Sequence, residues 1–290
     1  MKRAGLTVVF CSIFVAILFA ASSTHAQANF RGLTVTPVRN EVSARIGKVT
    51  RTTVRVTNNT NDPLTVVLSV QNFSASNYSY DHVFSKFDDD WVRPEEPSVE
   101  LAPGEEKDMK FVIDVPQTVS PGGHYFALTA SADMSSDGYE RIAQVISMLF
   151  LSIDGEHVIS GSINNEELPF VIFDDKLVYS YDASNTGNVH YNAEFFGRIG
   201  GFLYESADSK FTHTLLPDTV RRVGGSVQMP FLPGYYTLTY GYKTDLSEEI
   251  VTKRAGILYL PPWSIIFVVL LVLSAKWLTQ LRRSSNKTNV

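Results

Sequence analysis

At 290 residues, with 44% hydrophobic and 19% charged side chains, the chain can bury more than one core, which excludes wholesale disorder. All 30 acids lie between two apolar segments, residues 6–21 and 261–281; two of the 25 bases precede the first segment, and Lys276, Arg282, Arg283 and Lys287 lie in or after the second. The body between them therefore carries 19 bases and a net charge of −11, a surface that repels nucleic acid and anionic glycopolymers.

Residues 1–26 read as a signal peptide. Lys2 and Arg3 precede the apolar run, and small residues follow around Ala26. Cys11, the only cysteine, lies inside that run, so the mature body has no disulfide and no cysteine nucleophile. A cysteine-free body fits a bacterial surface protein with large cores better than a small disulfide-stapled receptor module.

The body reads as strands throughout. Val54 and Val56 alternate with Thr53, Arg55 and Thr57, and residues 58–63 form a polar turn. Leu64, Val66, Leu68 and Val70 mark one face of the next strand. After Pro103-Gly104, Met109, Phe111, Ile113 and Val115 share a face; after Pro121-Gly122-Gly123, so do Phe126, Leu128, Ala130 and Ala132. Residues 141–153 are nearly all apolar and read as a strand buried on both sides. A second unit repeats the grammar. Asn185-Thr186-Gly187 matches Asn58-Asn59-Thr60, Leu215-Leu216-Pro217 matches Leu101-Ala102-Pro103, and Pro233-Gly234 matches Pro121-Gly122. Tyr236, Tyr240 and Tyr242 then line one core face. The pattern predicts an all-β body of two tandem immunoglobulin-like β-sandwiches, residues 27–153 and 154–256, followed by a single transmembrane helix.

That helix, with the short segment leading into it, is predicted over residues 257–281, and residues 282–290 form a basic tail. Trp263 and Trp277 stand near the ends of the span as interfacial aromatics, Lys276 can snorkel, and Arg282 and Arg283 keep the carboxyl terminus cytoplasmic. The body is then extracytoplasmic on a single-pass cell-membrane protein.

Catalytic signatures are missing: no G-x-S-x-G, H-E-x-x-H, P-loop or G-x-G-x-x-G occurs. His82, His124, His157, His190 and His213 do not pair at metal-ligand spacing, so no metal, cofactor or enzymatic activity is expected. The richest candidate is the long segment at residues 72–97. It carries Phe73, Tyr78, Tyr80, His82, Phe84, Phe87 and Trp91 beside Asp88, Asp89 and Asp90. Such a loop suits stacking on a sugar or anchoring a protein. It also suits a lid over the sandwich edge.

Residues 30–37, the turn Val56-Thr57-Asn58-Asn59-Thr60, Leu101-Ala102-Pro103-Gly104-Glu105 and Pro121-Gly122-Gly123-His124-Tyr125 resemble the bacterial WxL-interacting protein family. The resemblance implies a first domain that binds the cell wall and a second that binds other proteins. The expected function is a non-enzymatic, membrane-anchored binding or scaffold protein that holds a cell-wall polymer or partner protein near the membrane. The alternative is a carbohydrate-binding module that uses the aromatic loop. Nucleic acid is not an expected partner.

Overall fold

The computed structural model describes residues 32–79, 81–134, 141–201, 204–206, 210–246 and 250–285. The signal peptide at 1–26, Tyr80 and residues 286–290 of the basic tail lie outside them. The described residues are strands and turns up to Tyr259, followed by one helix.

Strands β1 (Leu33–Thr36), β3 (Val49–Asn58), β8 (Glu106–Asp114) and β6 (Val92–Pro94) form one sheet in that order. The facing sheet runs β2 (Arg39–Ala44), β10 (Ile142–Ile153), β9 (Gly122–Asp133), β4 (Leu64–Ala75) and β5 (His82–Lys86), and β7 (Ser98–Leu101) also pairs with β4. A further pair of sheets follows. One is β11 (Gly161–Glu167), β13 (Lys176–Asn185) and β17 (Val220–Gln228). The other is β12 (Val171–Ile172), β19 (Ile250–Tyr259), β18 (Gly234–Thr244), β14 (Tyr191–Gly201) and β15 (Tyr204–Glu205), with β16 (Phe211–Leu215) on β14. The helix α1 spans Pro262–Ser285.

The two halves share one wiring. Each begins with a strand that splits between sheets: β1 pairs antiparallel with β3 and β2 parallel with β10, just as β11 pairs with β13 and β12 parallel with β19. In each half one long strand, β4 or β14, is paired by three others, β5, β7 and β9 or β15, β16 and β18. Only β6 has no counterpart among the described residues.

Alternation in the sequence places the cores. Val54, Val56, Val66, Leu68, Met109, Phe111, Ile113, Phe126, Leu128, Leu149 and Leu151 fill the first, and all are buried. The second is built on tyrosine: Tyr179, Tyr181, Tyr191, Tyr236, Tyr240 and Tyr242 are all buried. Four of their hydroxyls, those of Tyr181, Tyr191, Tyr236 and Tyr242, donate to backbone oxygens. Tyr181 donates to Gly241 O (3.0 Å), Tyr242 to Ser184 O (3.2 Å) and Tyr236 to Leu232 O (2.9 Å). One expectation is corrected. β10 is not buried along its whole length: Ile142 is 77% exposed and Gln144 is exposed, because β2 pairs only with Met148 through Ile153.

The matched turns converge on one buried side chain per half. The Asn58 carboxamide donates to Asp62 O (2.9 Å), Leu101 O (3.1 Å) and Ala102 O (3.1 Å), and its oxygen accepts from Thr60 N (2.9 Å). Asn185 donates to Val189 O (2.8 Å) and Leu215 O (3.0 Å) and accepts from Gly187 N (2.9 Å). Their backbones match too: Gly104 N donates to Asn58 O, and Asp218 N donates to Asn185 O. Gly104 and Asp218 both have positive φ (73° and 55°), so the same turn is built once with glycine and once with aspartate, a residue that tolerates this region.

Removing either carboxamide strands several buried carbonyls, each costing about 1–3 kcal/mol. Asn58→Ala and Asn185→Ala are therefore expected to lower the denaturation midpoint clearly. The exposed Asn59→Ala should stay within about 0.5 kcal/mol of the parent. Urea unfolding of the three variants measures the difference.

Candidate interaction surface

The segment at residues 72–97 does not form one aromatic surface. It divides into three parts with different environments. β4 continues through Ala75, turns, and returns as β5 in register with it, from Gln71↔Lys86 to Ala75↔His82. The turn is held by Ser76 N to Asp81 O (3.0 Å) and by the paired hydroxyls of Ser76 and Ser79.

The tip of this hairpin docks on the second half of the chain. Tyr78 N donates to Val220 O (2.8 Å), and Val220 N donates to the side-chain oxygen of Asn77 (3.0 Å). Arg221 Nη1 donates to Ser79 O (2.9 Å). Tyr78 takes up φ 65° at this contact and is itself 58% exposed. The tip thus borrows the start of β17 as if it were a further sheet partner.

The return strand is the exposed part. All five residues of β5 are exposed, and Val83 and Phe84 are its apolar members. His82 lies edge-on to Phe73 (5.0 Å between centroids), and Phe84 lies beside the same ring (5.9 Å). The remainder folds down. Phe87 and Trp91 pack against the first core, both edge-on to Phe126 at 5.0 and 5.1 Å. Asp88, Asp89 and Asp90 stay exposed between them: Asp88 pairs with Lys86 (2.5 Å), and Asp90 O accepts from Arg93 (2.8 Å). The three acids do not converge with His82 or Tyr78.

Two other contacts join the halves, and the sequence reading missed both. Phe73, Phe150 and Leu216 form a small buried cluster. The Arg39 guanidinium lies 3.8 Å above the Phe150 ring, while Arg39 Nη1 donates to Thr214 Oγ1 (3.2 Å). Beside it, Tyr125 and His190 interlock: His190 N donates to the Tyr125 hydroxyl (2.9 Å), which lies 3.1 Å from His190 Nδ1. Gly123 N donates to Asn188 O (2.7 Å). A Cβ on Gly122 would sit 2.7 Å from that same oxygen, and its φ is +124°. The glycines at 122–123 were legible as a turn, but the close approach they permit was not. The joint thus uses Pro121-Gly122-Gly123-His124-Tyr125 on one side and Asn188 to His190 on the other.

No group of three or more His, Cys, Asp or Glu placed to hold a metal occurs among the described residues. A broad, shallow concavity lies on the β14–β18–β19 sheet, lined by Phe196, Arg198, Glu205, Thr237, Thr239, Thr252 and Arg254. Arg198 pairs there with Glu205 (3.2 Å). It presents hydroxyls and guanidinium groups but no nucleophile paired with a base.

Burial pushes the Tyr125 phenol up, and it pushes His190 below the ordinary imidazole range. The charge of Arg39 lowers His190 further, while Glu41 and Asp245 act the other way. The unfolded chain then binds the proton more readily than the folded one, so stability rises with pH through that window. The contribution is complete above the ordinary pKa of about 6.5 and is lost as pH falls below it. Thermal unfolding is expected to show a lower midpoint at pH 5.5 than at pH 7.5. His190→Gln should shrink the difference, leaving the part due to His213, which burial also lowers.

No family model matches the sequence, and no curated protein matches it. Among solved structures, the chain is similar to the class 5 fimbriae chaperone CfaA, with 11% identity, 79% of this chain and 99% of that chain covered, and a TM-score of 0.46. It is also similar to the E. coli chaperone DraB, at 10% identity, 77% and 96% coverage and a TM-score of 0.38. A third similarity is to the CsuC-CsuE chaperone-tip adhesion subunit pre-assembly complex of Acinetobacter baumannii, at 12% identity, 66% and 89% coverage and a TM-score of 0.36.

Proposed function

We propose that the chain is a non-enzymatic binding or scaffold protein, anchored in the membrane by α1, that holds a protein partner on the outer side. The observation that carries this reading is the outer edge of β5. β5 ends its sheet, pairs with β4 on one side only among the described residues, and exposes Val83 and Phe84. An unpaired edge invites strand addition: main-chain hydrogen bonds give affinity, and side chains such as Phe84 give specificity. Lys86 is the only charge on the strand, so little guards the edge against pairing.

Anchoring is supported by α1. Its stretch Pro262–Thr279 has mean hydropathy 1.8 and is almost wholly unburied. Eighteen residues at about 1.5 Å each make about 27 Å, close to a hydrocarbon core. Trp263, Lys276 and Trp277 stand at the ends of that stretch, and Arg282 and Arg283 in the last turns support a cytoplasmic carboxyl terminus. The split first strand and the antiparallel pairing support immunoglobulin-like sandwiches. Under the resemblance to WxL-interacting proteins, the partner is another surface protein or the cell wall. Sugar stacking has less support, since Phe87 and Trp91 turn toward Phe126 rather than outward.

The orientation is tested on intact cells. External protease should remove the body and spare a tag at Val290; loss of the tag contradicts a cytoplasmic carboxyl terminus.

The edge is tested by carrying a photo-crosslinking side chain at position 84 and, as a control, at the exposed position 178 on β13. A discrete adduct at 84 alone is expected. Binding of that adduct partner should fall about thirtyfold in Phe84→Ala, the size of a hot-spot loss, with the melting temperature unchanged. Trp91→Ala should do the reverse, lowering stability and sparing binding. An adduct at both positions, or loss of binding only with Trp91, would move the site off β5. Binding to isolated cell wall but to no protein would favour the polymer as ligand.

A further inference from the structure

Exposed large apolar side chains gather at one end of the second half of the chain. Phe170 is 62% exposed, Phe173 50%, Phe231 77% and Leu232 62%. They come from three connections: Phe170 from β11–β12, Phe173 from β12–β13, and Phe231 and Leu232 from β17–β18. The register brings the connections together. Val171 and Ile172 lie opposite Leu258 and Tyr259 on β19, and Gly234 lies opposite Tyr259 on β18. All of these residues therefore stand at the end of the sandwich where β19 finishes.

That end is where α1 begins. β19 stops at Tyr259 and α1 starts at Pro262, so only Leu260 and Pro261 intervene. These two residues are not a free linker. Leu260 N donates to Ile172 O (2.8 Å), Pro261 is buried, and both the backbone N and the hydroxyl of Ser264 donate to Pro261 O. Phe231 stacks on Trp263, the first aromatic of the helix, at 5.0 Å and 15° between planes. The connections are braced in turn. Leu258 N donates to Phe170 O, Met229 N to Asp175 O, and the Tyr236 hydroxyl to Leu232 O.

We propose that this end of the second sandwich is a membrane-docking surface, with Phe170, Phe173, Phe231 and Leu232 seated in the outer headgroup layer around the start of α1. The inference rests on α1 being a span. A helix that enters the bilayer with no slack forces the connections bonded to its first residues to the same depth. The side chains they carry are those that partition into a membrane interface. The occupant is the interface of a zwitterionic bilayer rather than an anionic lipid. The exposed bases that would read acidic headgroups are few at this end, and Asp174 and Asp175 stand beside Phe173. Docking would fix the tilt of the second sandwich and, through the joint at Tyr125 and His190, the height at which β5 is presented.

The test uses the full chain with Cys11→Ser in phosphatidylcholine vesicles, and single cysteines carrying an environment-sensitive fluorophore. Phe170→Cys and Leu232→Cys probe the docking surface. Val158→Cys, exposed on a connection before β11, probes the aqueous side, and Leu270→Cys probes the span. Labels at 170 and 232 are expected to be blue-shifted and quenched by lipids spin-labelled near the headgroup. The label at 158 should be unaffected, and the label at 270 should be quenched by deep spin labels. Labels at 170 and 232 that match 158, while 270 is quenched, overturn the docking surface and leave the span standing. A label at 270 that behaves as in water removes the span and the inference with it. A blue shift at 232 that vanishes on diluting protein among vesicles, with no quenching by lipid, would assign the patch to a second copy of the chain and overturn the proposal.

Discussion

Each half of this chain depends on one buried carboxamide. Asn58 and Asn185 sit at the ends of β3 and β13, where a long strand stops and the chain must leave the core without stranding its carbonyls. A single primary amide supplies two hydrogens and one acceptor in a plane. Here it ties the turn that follows, at Thr60 or Gly187, to a second connection more than 25 residues away, at Leu101 or Leu215. The strand pairings on either side of that knot, β3 with β8 and β13 with β17, are in step because the knot sets their common end.

The second constraint is the joint between the halves. Three separate contacts make it: the hairpin tip on Val220 and Arg221, the Arg39–Phe150 stack with Leu216, and the Tyr125–His190 pair. The hairpin tip contributes hydrogen bonds, and the other two contacts combine buried rings with hydrogen bonds, so sliding one half on the other would strand polar groups as well as expose rings. A joint built this way transmits orientation. The position of β5 relative to α1 then follows from how the two halves pack on each other.

The charge pattern is consistent with that arrangement. Acids and bases on the body pair across strands at the surface, as in Arg55–Asp108 and Arg51–Glu95. Exposed pairs of this kind add little stability. They add polar cover to sheet faces that also carry single exposed apolar residues such as Val49, Val67 and Val178.

Much of the fold could be read from the sequence because strand burial has a period of two. Val54 and Val56, or Met109, Phe111 and Ile113, announce their face without any partner in view. The repeat was also legible, since turns need particular residues and Asn58, Pro103 and Pro121 recur as Asn185, Pro217 and Pro233. The candidate site was not. Tyr78, His82, Phe87 and Trp91 are neighbours in sequence and equally aromatic, yet one docks its backbone on β17, one edges an exposed strand and two close a core. Composition cannot separate them, because which side a ring faces depends on how far β5 stays paired with β4 and where the chain then turns back over the core. By itself the sequence determined the strands, the apolar helix, the missing disulfide and the repeat, all of which rest on local spacing and chemistry. Only the tertiary structure decided that Arg39, Tyr125 and His190 meet, that β5 is an edge, and that Phe231 stands beside Trp263, because contacts between residues 32 to 175 positions apart arise from the sheet order and not from neighbours along the chain.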